Sequence, residues 1–119
     1  MQDTGGYYIV TSVSCDATLT QNEVFAPVLG VTPFNTEDEA IALANSTVYG
    51  LARAAWTANR SRAHQMVRGV WTGVMHIKNY GGSDGTAPLG GVAQSGNGSD
   101  KYLHAIEKSV NLKTEWIEL

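Results

Sequence analysis

The sequence predicts an α/β protein: a small, largely parallel sheet packed with three helices. Two observations carry this. Runs rich in β-branched and aromatic residues alternate along the chain with stretches whose apolar residues recur at helical spacing, and each helical stretch lies between two such runs. With 119 residues, 43% of them hydrophobic, and no long apolar run, the chain has material for one modest core, so residues 1–119 are expected to form a single domain.

Residues 7–13 and 24–34 read as strands, the second bent because Pro27 and Gly30 interrupt it. Thr36 followed by Glu39 has the spacing of a capping box, in which each side chain accepts a hydrogen bond from a backbone amide freed at the helix start. Ala40, Leu43 and Ala44 then give a narrow apolar stripe, so a helix is predicted over 37–45, ending near Gly50. Residues 51–57 suit a short strand. Ala63, Met66, Val67 and Val70 follow at the i, i+3, i+4, i+7 spacing of an amphipathic helix, with Gly69 and Gly73 at its exit. Another strand is predicted over 74–80. The stretch GGSDGTAPLGG at 81–91 is too rich in glycine for regular structure and is the best candidate for a binding surface. Ser99 is placed to cap a third helix over 100–108, and residues 112–119 close the chain as a strand.

Composition narrows the classes of function. Only 16% of residues are charged, against roughly 25% in an ordinary globular domain. This favours a surface partly covered by another chain. The net charge of −3 is spread without a basic patch or an acidic block, which argues against nucleic acid and anionic membranes as partners and leaves small metabolites open. No run reaches the roughly 18 apolar residues that a bilayer needs, and MQDTGGYY lacks the regions of a secretory signal, so a cytoplasmic setting is expected. The sequons at Asn45, Asn59 and Asn97 are then chance matches.

No catalytic constellation emerges from the residues themselves. Cys15 has no disulfide partner, and SVSCDAT offers neither a helix N-terminus nor a glycine-rich turn to activate its thiol. His64, His76 and His104 are too far apart in sequence for a known zinc spacing. His104 and Glu107 share a helical face at i, i+3, which reads first as an exposed ion pair. Gly90, Gly91, Gly96 and Gly98 do not follow a strand and open a helix as a dinucleotide cradle does.

Longer phrases carry more. GYYI at 6–9, NEVFAPVL at 22–29, DEAIALANSTVYGLARAAWT at 38–57, SRAHQMV at 61–67 and the whole stretch from Gly73 to Leu119 occur in the order found in the closing third of NAD(P)-dependent aldehyde dehydrogenases. The chain resembles that family over nearly its full length, and its tail QSGNGSDKYLHAIEK is most similar to the branch acting on γ-glutamyl-γ-aminobutyraldehyde. The resemblance implies that Glu23 accepts hydrogen bonds from the nicotinamide ribose, that Phe25 packs near the nicotinamide, and that Leu51 borders the same ring. It implies an aldehyde entrance lined by Tyr80, Gly82, Ser83 and Leu89, in which the segment GGSDGTAP between Tyr80 and Leu89 lacks bulky aromatics and so suits a polar or extended substrate. It also implies that Leu112, Trp116, Ile117 and Leu119 join a neighbouring subunit, making a homo-oligomer.

Departures from the family pattern stand at Ala26, His76, Lys78, Leu89 and Ser99, and the stretch 9–23 is a few residues short. The family's nucleophilic cysteine, its base glutamate and its cofactor-binding domain have no counterpart here. No catalytic residue is therefore assigned, no metal or bound cofactor is expected for the chain alone, and NAD or NADP belongs to the full-length family. Three readings follow: a stand-alone oligomerising or binding module, with Met1 as a plausible start; the C-terminal portion of an active dehydrogenase; or a small-ligand binder that uses the 80–89 loop.

Overall fold

A computed structural model describes residues 5–82 and 84–119, the side chain of His104 excepted. The chain falls into two compact units, Met1–Val48 and Tyr49–Leu119.

In the first unit, β1 (Tyr8–Thr11) pairs in parallel with β2 (Val28–Val31), Tyr8 opposite Val28 and Thr11 opposite Val31. The pairing is prolonged at both ends. The Tyr8 amide donates to the Pro27 carbonyl at 2.9 Å, and the Val13 amide to the Val31 carbonyl at 3.1 Å. Between the strands runs a one-turn helix, α1 (Thr18–Gln21), which the sequence pattern does not announce. Its Leu19 and the buried Val13 close over Gly30 in β2, where a larger residue would compete for the same space. Residues 24–27 and 32–34, read as strand from their composition, lie outside the ladder.

The second helix of this unit, α2 (Glu37–Ala44), starts as the capping pattern predicts. The Glu39 amide donates to Thr36 Oγ1 at 3.2 Å. The reciprocal bond is displaced by one residue, because Glu39 Oε2 accepts from the Asn35 amide at 2.7 Å and not from that of Thr36. Three acidic residues in the first turn, Glu37, Asp38 and Glu39, complement the positive end of the helix. The helix stops at Asn45, whose amide reaches the Ile41 carbonyl, well before Gly50.

The second unit is built on a strand–helix–strand crossover. Strand β4 (Ala52–Ala55) pairs in parallel with β5 (Val74–Ile77), and α3 (Arg60–Gly69) connects them. Asn59 caps α3, its Oδ1 accepting from the Arg62 amide at 3.1 Å. The apolar stripe of α3 is narrower than its spacing suggests. Val70 is buried and Ala63 and Met66 are half-buried, but Val67 is exposed. Two short antiparallel pairs complete the unit: β3 (Tyr49–Gly50) with β7 (Val92–Ala93), and β6 (Leu89–Gly90) with β8 (Ser99–Asp100).

The class is α/β, and the two longer pairings are parallel as expected. They occur as separate two-stranded pairs rather than as one continuous sheet. The glycine-rich stretch is not wholly irregular, since Leu89 and Gly90 pair with β8. Ser99 is a strand residue opposite Gly90, not a cap. The third predicted helix shrinks to α4 (His104–Glu107), because Lys101 and Tyr102 adopt φ values of 64° and 54°, which a right-handed helix cannot include. Residues 112–119 form no strand. A strand needs a partner to share its backbone hydrogen bonds, and among the described residues none lies along this segment.

One close approach fixes the second unit. A Cβ on Gly73 would overlap the Gly90 carbonyl oxygen and sit 3.3 Å from that of Leu51. Both obstacles are backbone and cannot swing away. Gly73→Ala is therefore expected to cost about 1–3 kcal/mol, lowering the urea midpoint. Gly85→Ala, where a Cβ meets nothing within 4 Å, should change stability by less than about 0.5 kcal/mol. Equal midpoints for the two variants would refute this packing.

Candidate functional site

Side chains alternate across a strand, and the in-register pairing of β4 with β5 sorts them into two faces. Ala52 and Ala54 share one face with Val74 and His76; Arg53 and Ala55 share the other with Met75 and Ile77. Arg53 anchors its face by donating from a guanidinium nitrogen to the Tyr49 carbonyl at 2.8 Å, and its partial burial lowers its pKa from the usual arginine value.

The first face floors a cavity of about 300 Å³ through Ala52, Val74 and His76. That volume is at the small end of sites for metabolites. The small side chain of Ala52 leaves space that a branched residue would fill. One wall is the loop after β5, contributing Tyr80, Gly81, Gly82, Asp84, Ala87 and Pro88; Leu89 of β6 and Lys101 complete the lining.

Left-handed backbone shapes this wall. Lys78, just past β5, has φ 55° and turns the chain out of the ladder, so the strand ends at Ile77 rather than at Tyr80. Gly81 at φ 77° then continues the turn, a conformation glycine adopts without steric cost. Further along, Asp84 Oδ1 accepts from both the amide and the hydroxyl of Thr86, each at 2.9 Å, and the Ala87 amide returns to the Asp84 carbonyl at 3.2 Å. The Tyr102 amide donates to the Gly85 carbonyl at 3.1 Å and ties the loop to the corner after β8.

Three residues placed at an entrance by the sequence, Tyr80, Gly82 and Leu89, thus line one cavity, and Ser83 lies outside the described residues. His76, a departure from the family pattern, is half-buried and forms part of the floor; Lys78, another departure, is exposed beyond the strand end. Asp84 and Lys101 were not singled out. Lys101 had been read into a helix, and only its left-handed backbone brings it to the cavity. Glu23 and Phe25 are exposed side chains of the first unit, Phe25 at 92%, whereas Leu51 is exposed between β3 and β4 of the second. Leu112, Trp116, Ile117 and Leu119 are all exposed. The side chain of His104 lies outside the described part of the structure. Among the described residues no group of three His, Cys, Asp or Glu side chains is gathered as a metal site, and no helix is long and apolar enough to cross a membrane.

Residues 4–115 match the aldehyde dehydrogenase family, and the chain belongs to it. It is 49% identical over 114 residues to the NADP/NAD-dependent aldehyde dehydrogenase PuuC of Escherichia coli K12, covering 96% of this chain and 23% of that relative. It is 41% identical over 111 residues to the aminoacetaldehyde dehydrogenase of Pseudomonas aeruginosa PAO1, covering 92% and 22%. Among solved structures, a mutant of the indole-3-acetaldehyde dehydrogenase AldA of P. syringae, in complex with NAD+ and IAA, superposes with a TM-score of 0.85 at 50% identity, over 93% of this chain and 22% of that one. The aldehyde dehydrogenase KauB of P. aeruginosa gives the same score at 45% identity. The chain therefore spans between a fifth and a quarter of the length of these relatives.

The Asp84 carboxyl is held below its ordinary value of 3.8, first by the Thr86 amide, then by the Thr86 hydroxyl, with a smaller contribution from the Lys101 charge. Because the folded value is the lower one, these bonds support the loop above pH 3.8 and lose that effect as pH falls through the folded value. Following the Asp84 carboxyl carbon by NMR should give a midpoint below 3.8, and Thr86→Val should move it only part of the way back. A complete return in that variant would show that the backbone donor is not engaged.

Proposed function

We propose that these residues form the aldehyde-entrance and subunit-joining portion of an NAD(P)-dependent aldehyde dehydrogenase, and that they do not oxidise an aldehyde on their own. The observation that carries this reading is the cavity. Tyr80, Gly82 and Leu89, matched independently to the family's entrance, line one space of metabolite size.

The chemistry of Glu23 and Phe25 suits one end of the cofactor. Two residues apart and both exposed, they offer a carboxylate for ribose hydroxyls and an aromatic face for a flat ring. When bound, NAD(P) accepts the hydride of the aldehyde carbon. What this chain contributes is positional: Glu23 and Phe25 hold the nicotinamide end, and the cavity wall admits the aldehyde while its apolar members, Val74, Pro88 and Leu89, exclude water from the passage. The one cysteine, Cys15, is exposed and has no role in this scheme. Covalent capture of the aldehyde and activation of water need the nucleophile and base found in the family's remaining portion. The reading includes a homo-oligomer joined through Leu112, Trp116, Ile117 and Leu119, and a cytoplasmic setting.

A second reading has its own support from the same cavity: a binder of small molecules through the 80–89 loop, with no reaction. A graft separates the two. Replacing the matching segment of PuuC with residues 4–115 of this chain should yield an assembled enzyme that reduces NAD+ with aldehyde within about tenfold of the parent's kcat/KM, a loss of about 1.4 kcal/mol at most, while the chain alone produces no NADH. An assembled but inactive graft, or activity from the chain alone, would contradict the proposal.

A further inference from the structure

We propose that Lys101 is a specificity-determining residue that draws into the cavity an aldehyde whose far end is a carboxylate, and that Asp84 competes with that carboxylate for the lysine. That the ligand is an aldehyde rests on the function proposed above; recognition of the anion does not.

The placement of Lys101 is unusual on three counts. It is only half-exposed, although lysine is ordinarily a well-solvated residue, and it lines the cavity. Its backbone and that of Tyr102 are both left-handed, at φ 64° and 54°. Such strain in residues other than glycine persists only where the surroundings impose it. Here β8 holds the corner on one side through the pairing of Asp100 with Leu89, and the Tyr102 amide, bonded to the Gly85 carbonyl, holds it on the other. Without the corner, Lys101 would continue toward α4 and leave the cavity apolar apart from His76, Asp84 and Tyr80.

The charges decide which ligand end fits. Among the described residues of the lining Lys101 is the one lysine or arginine, and the half-buried His76 on the floor adds a ring nitrogen able to donate. Among the same described residues Asp84 is the one acidic side chain, and its Oδ1 already accepts two bonds from Thr86. The Asp84 carboxylate is thus engaged by its own loop, while it shares the cavity lining with Lys101, whose charge acts on it. A carboxylate entering between Lys101 and His76 takes over the lysine, and a neutral tail of the same length gains nothing from it.

The test uses the 119-residue chain with glutarate and its diamide, glutaramide, as probes, read by NMR shifts of the His76 ring and of the Leu89 and Lys101 amides. Glutarate should bind at least about fivefold more tightly than glutaramide. Lys101→Gln should reduce glutarate to the level of the diamide, and Asp84→Asn should tighten glutarate by about twofold to fivefold. Equal binding of acid and diamide by the unaltered chain overturns the proposal without any variant. Weaker glutarate binding in a folded Asp84→Asn chain also overturns it, because Asp84 would then be a contact and not a competitor. None of these readouts requires dehydrogenase activity, so the anion preference and the proposed function fail separately.

Discussion

Backbone pairing and close glycine contacts hold this chain together more than a deep core does. Among the described hydrophobic side chains only Val13 and Val70 are buried, one in each unit. Phe25, Leu112 and Trp116 are each more than nine-tenths exposed. Two-stranded pairs of four residues are marginal by themselves in water, so each depends on what is laid against it. The relatives that the chain matches are four to five times longer than it is.

The same economy builds the cavity. A parallel pair supplies a floor of small and medium side chains, and three left-handed positions, Lys78, Gly81 and Lys101, bend the following segments around it. The loop carries its own hydrogen bonds in the Asp84–Thr86 turn and needs few from elsewhere. Shape at the mouth is therefore set by backbone turns, while polarity is set by His76, Asp84 and Lys101. Those two properties can vary independently.

How much of this the sequence disclosed depended on the range of the interactions. The Thr36–Glu39 spacing marked the start of α2 because capping is local, and the stripe at Ala63, Met66 and Val70 marked α3 for the same reason. The parallel strands were visible as β-branched runs, but their ends were not. Ser12 and Lys78, at φ 55°, terminate β1 and β5 in a conformation that neither residue type signals. The helix expected over 100–108 lost its first turn to the pairing of Ser99 and Asp100 with Gly90 and Leu89, residues nine and eleven positions earlier. Of the cavity, Tyr80, Gly82 and Leu89 were legible through family resemblance. Lys101 was not, because it reaches the site through that long-range pairing. The strand expected over 112–119 has no partner among the described residues and stays irregular.

Sedimentation velocity on the chain over a dilution series from high micromolar concentration addresses the uncovered apolar surface most directly. The account predicts a species heavier than the 12.7 kDa monomer at the top of the series, dissociating on dilution and shifted toward monomer when Leu112 and Trp116 are both replaced by serine. A clean monomer at every concentration, unchanged by those replacements, would contradict it.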